Sequence, residues 1–226
     1  ITKSPARCRA FLFSELDPEA RAMFLSDSDP HFEAIQSQFD ASTGVTTDTR
    51  AAGTGQLFFA LKGENFNGNA YAQKAIEAGC IAAVVDEIDY APPGDPRFIL
   101  VPDALAALQS LARWHRRKWS CPVIGLTGSN GKTTTKELMK CVLEAAHSHV
   151  HATVGNFNNH IGVPLTLLNA PASPEFVVVE MGANHQKEIE ALAQMAEQPA
   201  GRCCTVVCGE GWHRGVLGIV ASRVVE

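Results

Sequence analysis

The run Gly125-Leu-Thr-Gly128-Ser-Asn-Gly131-Lys132-Thr133-Thr134 puts small residues, a lysine and hydroxyls into one short stretch. That combination suits phosphate. Small residues let backbone N–H groups close around phosphate oxygens, a following helix adds the partial positive charge of its N-terminus, and a lysine reaches the outer phosphates. Thr127, Gly128, Ser129, Asn130, Gly131, Lys132, Thr133 and Thr134 are therefore the candidate ATP-binding residues, with Lys132 stabilising a transferred phosphoryl group and Thr133 holding Mg2+. Strict Walker A spacing asks for glycine where Leu126 stands, so the match is to a variant whose loop is one residue longer.

A second candidate is Glu180, which closes the apolar run Phe176-Val-Val-Val-Glu180. A carboxylate at the C-terminal end of a strand beside a phosphate loop can bind Mg2+, which makes Glu180 the catalytic and metal-site partner of Lys132 and Thr133. The loop Gly155-Asn156-Phe157-Asn158-Asn159-His160-Ile161-Gly162-Val163-Pro164 is dense in amides. It suits turn chemistry and equally suits amides aimed at a polar substrate. His147, His149 and His151 alternate along a strand-like stretch and read as a solvated edge rather than a metal site. The cluster Cys203, Cys204, Cys208 lacks the spacing of a zinc site.

The elements that must position these groups alternate. Short helices are expected at Pro18 to Leu25 and Phe32 to Phe39. Apolar runs at Leu57 to Leu61 and Ile81 to Val85 predict strands on either side of a helix at Ala70 to Ala78 that Gly79 ends. A strand at Phe98 to Val101 precedes a helix that Asp103 caps and that runs to about Lys118. The pattern continues with a strand to Leu126, the Gly-rich turn, a helix from Lys132 to about Ala146, a strand at His149 to Val154, a helix through Pro164 to Leu168, the strand to Glu180 and a helix at Gln186 to Glu197. Alternation of this kind predicts an α/β protein with mainly parallel sheet.

Composition narrows the function classes. The chain has 226 residues, 46% of them hydrophobic, and a formal net charge of -5, which supplies no global positive field for nucleic acid or an anionic membrane. The basic cluster Arg113 to Lys118 reads as a helix end complementing its dipole. Seven cysteines without a regular framework point to reduced thiols and a cytoplasmic protein. No apolar run approaches the ~20 residues of a membrane span, and no secretion signal is evident.

Together the motifs resemble the Mur ligase family. Thr127 to Thr133 is similar to its ATP-binding signature, while Gly155 to Pro164 and Glu180-Met-Gly-Ala-Asn-His185 resemble the branch that adds D-alanyl-D-alanine. Thr46-Thr-Asp-Thr-Arg50, Leu57 to Gly63 and Asn67-Gly-Asn69 look like the domain that binds the UDP-sugar peptide, and they argue against a folate-polyglutamate ligase, which shares a similar phosphate loop. The resemblance implies an ATP-dependent ligase that joins D-alanyl-D-alanine to UDP-N-acetylmuramoyl-tripeptide through an acyl phosphate, in peptidoglycan precursor synthesis, as a monomer without nucleic acid or membrane partners. It also implies that Asp48, Thr49, Arg50, Lys62 and Asn67 hold the nucleotide-sugar substrate and that Asn156, Asn158 and Asn159 line the reaction cleft. The domain reading is a 1–43 extension, a 44–119 substrate-binding α/β domain, a partial 120–199 P-loop domain and an atypical 200–226 tail.

After Pro199 the family pattern of a strand, an Asn-x-Gly-x-x-His turn, a carbamylated lysine and a closing domain is not found. Val206 to Glu226 instead resembles a short segment of DHH-type single-strand-specific DNA exonucleases with its Gly-Trp-His loop, and Gly215 to Val225 patterns as an amphipathic helix. On this reading the chain binds nucleotide weakly and ligates little. The alternatives are an inert nucleotide-binding fragment or an exonuclease-related chimera.

Overall fold

The computed structural model describes residues 29–128 and 130–182 and the strand at 205–207. The expected helices at Pro18 to Leu25, Gln186 to Glu197 and Gly215 to Val225, and the positions of Ser129, Cys203, Cys204 and Cys208, lie outside the described residues. The described chain forms two compact units: residues 29–116 with the segment Leu167–Asn169, and residues 117–166 with those from 170 onward.

The first unit opens with helix α1 (Pro30–Ala41), where Asp29 accepts a hydrogen bond from the His31 N–H at 2.8 Å and Pro30 supplies a preset first-turn φ. Strands β1 (Val45–Thr46), β2 (Leu57–Phe59), β5 (Ala82–Val85) and β6 (Phe98–Leu100) form a sheet in that order, all parallel. Every residue of β2 and β5 is buried, as the uninterrupted apolar runs predict for strands covered on both faces. Between them lie the small antiparallel hairpin β3 (Lys62–Gly63) and β4 (Phe66–Asn67), a 3-10 turn at Gly68–Tyr71 and helix α2 (Ala72–Glu77). The helix expected from Ala70 thus starts as a tighter turn. Phe58, Ala75, Ile76, Ala83, Val85 and Phe98 build the core beneath α2. Helix α3 (Ala104–Arg117) begins at Asp103, whose carboxylate accepts from the N–H groups of Leu105 and Ala106 at 2.8 and 2.9 Å.

In the second unit, β7 (Val123–Leu126) leads through the Gly-rich turn into α4 (Lys132–Glu144). Then come β8 (Val150–Ala152), α5 (Gly162–Leu168) and β9 (Phe176–Glu180). Strand β10 (Thr205–Val207) pairs in parallel with β7, so the sheet order is β10-β7-β9-β8. This corrects one expectation: a strand does follow Pro199. The reason is local, since Thr-Val-Val is β-branched throughout and fits a pleated strand whatever the flanking motif resembles. Strand β8 is a sheet edge, as expected of the histidine stretch, but His151 on it is not solvated: it is half-buried, with Nε2 2.9 Å from the Thr166 carbonyl oxygen, and burial lowers its pKa. Helix α4 buries Lys136, Met139 and Leu143 at helical spacing, and the last two pack with Ile124, Leu126, Ala152 and Val178. The α/β class with parallel sheets is as the sequence predicts.

Candidate functional site

Strand β7 is buried and central, so its C-terminal end delivers the loop to the top of the sheet, where parallel α/β folds place ligands. Gly131 caps α4 with φ +79°, a left-handed conformation that a side chain would strain, and a Cβ built there meets nothing among the described residues within 4 Å. The turn is therefore both conformationally dependent on glycine and open above. Lys132 is half-buried and its Nζ donates to the Gly128 carbonyl oxygen at 2.6 Å, folding the ammonium over the loop. Thr133 and Thr134, in the first turn of α4, are exposed.

Glu180 ends β9 with 1% exposure, opposite Leu126 in register. Its Oε1 accepts from the Thr133 hydroxyl at 3.2 Å and from the Asn158 amide at 2.9 Å, and its backbone N–H donates to the Thr153 hydroxyl at 2.9 Å. Its Oε2 is buried and has no hydrogen-bond partner among the described residues. The sheet thus brings together three segments that the sequence suggested separately: the phosphate loop, the amide-rich loop and the strand-end carboxylate. A threonine hydroxyl beside a carboxylate with one unengaged oxygen is the hard-oxygen donor set that Mg2+ takes.

The amide-rich loop divides by role. Asn158 reaches Glu180, and its backbone carbonyl accepts from the Gly182 N–H at 2.6 Å. Asn159 instead caps α5, its side-chain oxygen accepting from the N–H groups of Ile161 and Gly162 at 3.1 and 2.8 Å. Asn156 is exposed, and its backbone carbonyl accepts from the Asn158 N–H at 2.7 Å. Gly162 is buried where a Cβ would run into the backbone of Phe157, so the first turn of α5 and the loop interlock.

Sequence reasoning passed over Lys136. It is 1% exposed, and its Nζ lies 3.0 Å from Glu137 Oε1, 3.4 Å from the Gly155 carbonyl oxygen and 3.9 Å from Glu180 Oε2. Hydrogen bonding to this ammonium, then its charge, holds the Glu137 carboxyl below the usual carboxylate range. The available signal was a lysine at a position whose helical spacing, shared with Met139 and Leu143, calls for an apolar side chain.

The substrate-binding candidates of the first unit gather at the C-terminal ends of its strands, but their side chains largely engage one another. Asp48 and Arg50 form an exposed two-pronged pair, with contacts from 2.7 to 3.1 Å, and this hydrogen bonding lowers the Asp48 carboxyl from 3.8 to about 2. Thr49 sits half-buried between them. Lys62 pairs with Asp86 at 3.1 Å and Glu87 at 3.4 Å. Asn67 donates to Glu87 at 2.9 Å and accepts from both the N–H and the side-chain amide of Asn69. Asn69 is buried and also bonds the Asp86 carboxylate at 2.8 Å and the Asp86 N–H at 3.0 Å.

Residues 42–116 match the model described as Mur ligase family, catalytic domain, and residues 126–201 the one described as Mur ligase middle domain. The chain is 47% identical over 157 residues to the UDP-N-acetylmuramoyl-tripeptide–D-alanyl-D-alanine ligase of Bacillus subtilis, a match covering 70% of this chain and 34% of that one. The ligase of the same name from Synechocystis is 41% identical over 174 residues, with 77% and 37% covered. Among solved structures, MurF from Acinetobacter baumannii superposes with a TM-score of 0.62 at 33% identity, covering 73% of this chain and 39% of that one. The MurF ligase of Thermotoga maritima in complex with ADP gives 0.62 at 31%, with 71% and 36% covered. The chain spans roughly a third to two-fifths of the length of these relatives.

Proposed function

Because the chain belongs to the Mur ligase family, we propose that it carries the nucleotide-phosphate site, and strands and loops of the nucleotide-sugar site, of an ATP-dependent ligase joining D-alanyl-D-alanine to UDP-N-acetylmuramoyl-tripeptide. The observation that supports this most is the meeting of Thr133, Asn158 and buried Glu180 beside a glycine-capped helix start that opens to solvent. The reaction belongs to the cytoplasm, where peptidoglycan precursors and ATP coexist, and the chain, spanning only part of the relatives' length, ligates little by itself.

In this reading a terminal carboxylate oxygen of the tripeptide attacks the γ-phosphorus of ATP, the bond to the β-γ bridging oxygen breaks and ADP leaves. The amine of D-alanyl-D-alanine then attacks the acyl carbon, loses a proton, and expels phosphate as the amide forms. The N–H groups of the loop and the Lys132 ammonium orient the phosphates and stabilise charge on the transferred group. Thr133 and Glu180 would hold Mg2+, which supplies charge neutralisation of the phosphate oxygens when bound. Asn158 steers the Glu180 carboxylate toward Thr133. Asp48, Thr49, Arg50, Lys62 and Asn67 contribute to the nucleotide-sugar side, with Arg50 the group most free to meet an anion, since its side chain is 86% exposed.

The test is calorimetric titration of the chain with a nonhydrolysable ATP analogue and Mg2+, wild type beside Lys132→Ala. Binding that the substitution lowers by about a hundredfold or more supports the reading, given how much charge stabilisation one ammonium provides in a phosphate site. A folded wild-type chain with no affinity for the analogue overturns it. The exonuclease-related alternative rests mainly on residues 208–226, outside the described residues.

A further inference from the structure

We propose that Lys136 is a positioning residue that serves as the internal counter-cation of Glu180, holding the carboxylate in place without a metal and so making the divalent ion enter together with nucleotide phosphate. The inference rests on the nucleotide reading above for its metal half and on geometry alone for the rest.

Lys136 lies one helical turn beyond Lys132, on the buried side of α4. A lysine 1% exposed loses most of its hydration, and a methionine in its place would fill comparable space without that cost. The ammonium must therefore be answering charge. Among the described residues Lys136 is the only ion-pair partner of Glu180, at 3.9 Å from Oε2, while Lys132 is engaged with the Gly128 carbonyl. A separation of 3.9 Å is too long for a hydrogen bond but short for a Coulombic contact. The ammonium therefore balances the carboxylate without consuming its free oxygen. Its other bonds, to Gly155 and Glu137, fix it between the amide-rich loop and α4.

The consequence is a division of labour around one carboxylate. Oε1 is held by Thr133 and Asn158, and Oε2 is left for a metal, with the Lys136 ammonium 3.9 Å from it. A divalent cation approaching alone is opposed by the ammonium. A cation approaching with phosphate brings its own negative charge and is not.

The experiment is a stability cycle on the full chain with Lys136→Met, Glu180→Gln and both together, followed by calorimetric titration with Mg2+ alone. Lys136→Met is expected to lower the unfolding midpoint markedly, because it leaves a buried carboxylate unbalanced, and adding Glu180→Gln is expected to recover most of that loss. Mg2+ without nucleotide should bind Lys136→Met roughly tenfold or more tightly than wild type, since one opposing charge has gone. Losses that simply add in the double variant, or equal Mg2+ affinity in wild type and Lys136→Met, would overturn the proposal. Should Lys136→Met fail to fold, the double variant decides: folding restored supports the pairing, and folding still lost refutes it. The cycle needs no nucleotide, so its failure is distinct from a wild-type chain that binds no ATP analogue.

Discussion

Two polar clusters occupy equivalent places in the two units, each at the C-terminal ends of parallel strands, and they differ in how completely they satisfy themselves. Around Asn69 the groups close on one another: Asn67, Asp86, Glu87 and Lys62 form a connected set of hydrogen bonds and ion pairs. Around Glu180 the set stays open, with Oε2 buried and without a hydrogen-bond partner among the described residues, while Oε1 accepts from Thr133, an exposed residue. A closed network has already spent its donors and acceptors on the fold, whereas an open one retains interaction energy for a ligand. The same residue types at similar places in similar sheets are therefore chiefly structural in one unit and available in the other.

The comparison breaks most visibly at Asn69. If its network is structural, Asn69→Ala removes two bonds from Asp86, one at its N–H and one at its carboxylate, and a third from the Asn67 amide oxygen, and costs about 3 kcal/mol, the range for stranding buried groups next to a charge. Chemical denaturation followed at the first unit would measure it. A loss well under 1 kcal/mol would mean that water or neighbours replace the bonds and that the cluster is as open as the one around Glu180.

A smaller effect, but one that sharpens the contrast, is expected at Gly162. An added methyl must displace the backbone of Phe157, at about 1–3 kcal/mol for overpacking a tight contact. Because Asn158 follows directly, Gly162→Ala should also weaken Mg2+-dependent nucleotide binding, which calorimetry would report. Lost stability with unchanged binding would separate the amide-rich loop from the site.

How legible this was in the sequence follows the same division. The parallel α/β layout could be read because strands buried on both faces, such as Ala82–Val85 and Phe176–Glu180, appear as unbroken apolar runs between helical segments. The phosphate loop could be read because its chemistry is contiguous. The closure of Lys62 and Asn67 by Asp86 and Glu87 could not, since those partners return from twenty or more residues away and only the β2–β5 pairing brings them close. Lys136 was hidden for a related reason: its burial depends on the phase of α4, which is fixed by Met139 and Leu143 packing on the sheet. Strand β10 is harder to read because it is only three residues long, too short for a periodicity, and its β-branched residues are its one structural signal.

The smallest expected effect lies at Asp48 and Arg50, the one candidate pair of the first unit that stands in solvent. Its folded-state carboxyl titrates at about 2 against an ordinary 3.8, chiefly through the Arg50 hydrogen bonds. A depressed carboxyl contributes stability that is complete above pH 3.8 and is lost as pH falls from there through about 2. Because the pair is exposed, salt screens it and the contribution to folding is slight. Arg50→Ala should return the Asp48 carboxyl to the ordinary range in an NMR titration while leaving the unfolding midpoint at neutral pH within error. If the same substitution also weakens binding of the nucleotide-sugar peptide, then Arg50 exchanges Asp48 for an anionic ligand, and the first unit keeps one open contact at the rim of an otherwise closed network. If binding is unaffected, the pair is a surface turn, and recognition in this unit depends on groups other than Arg50.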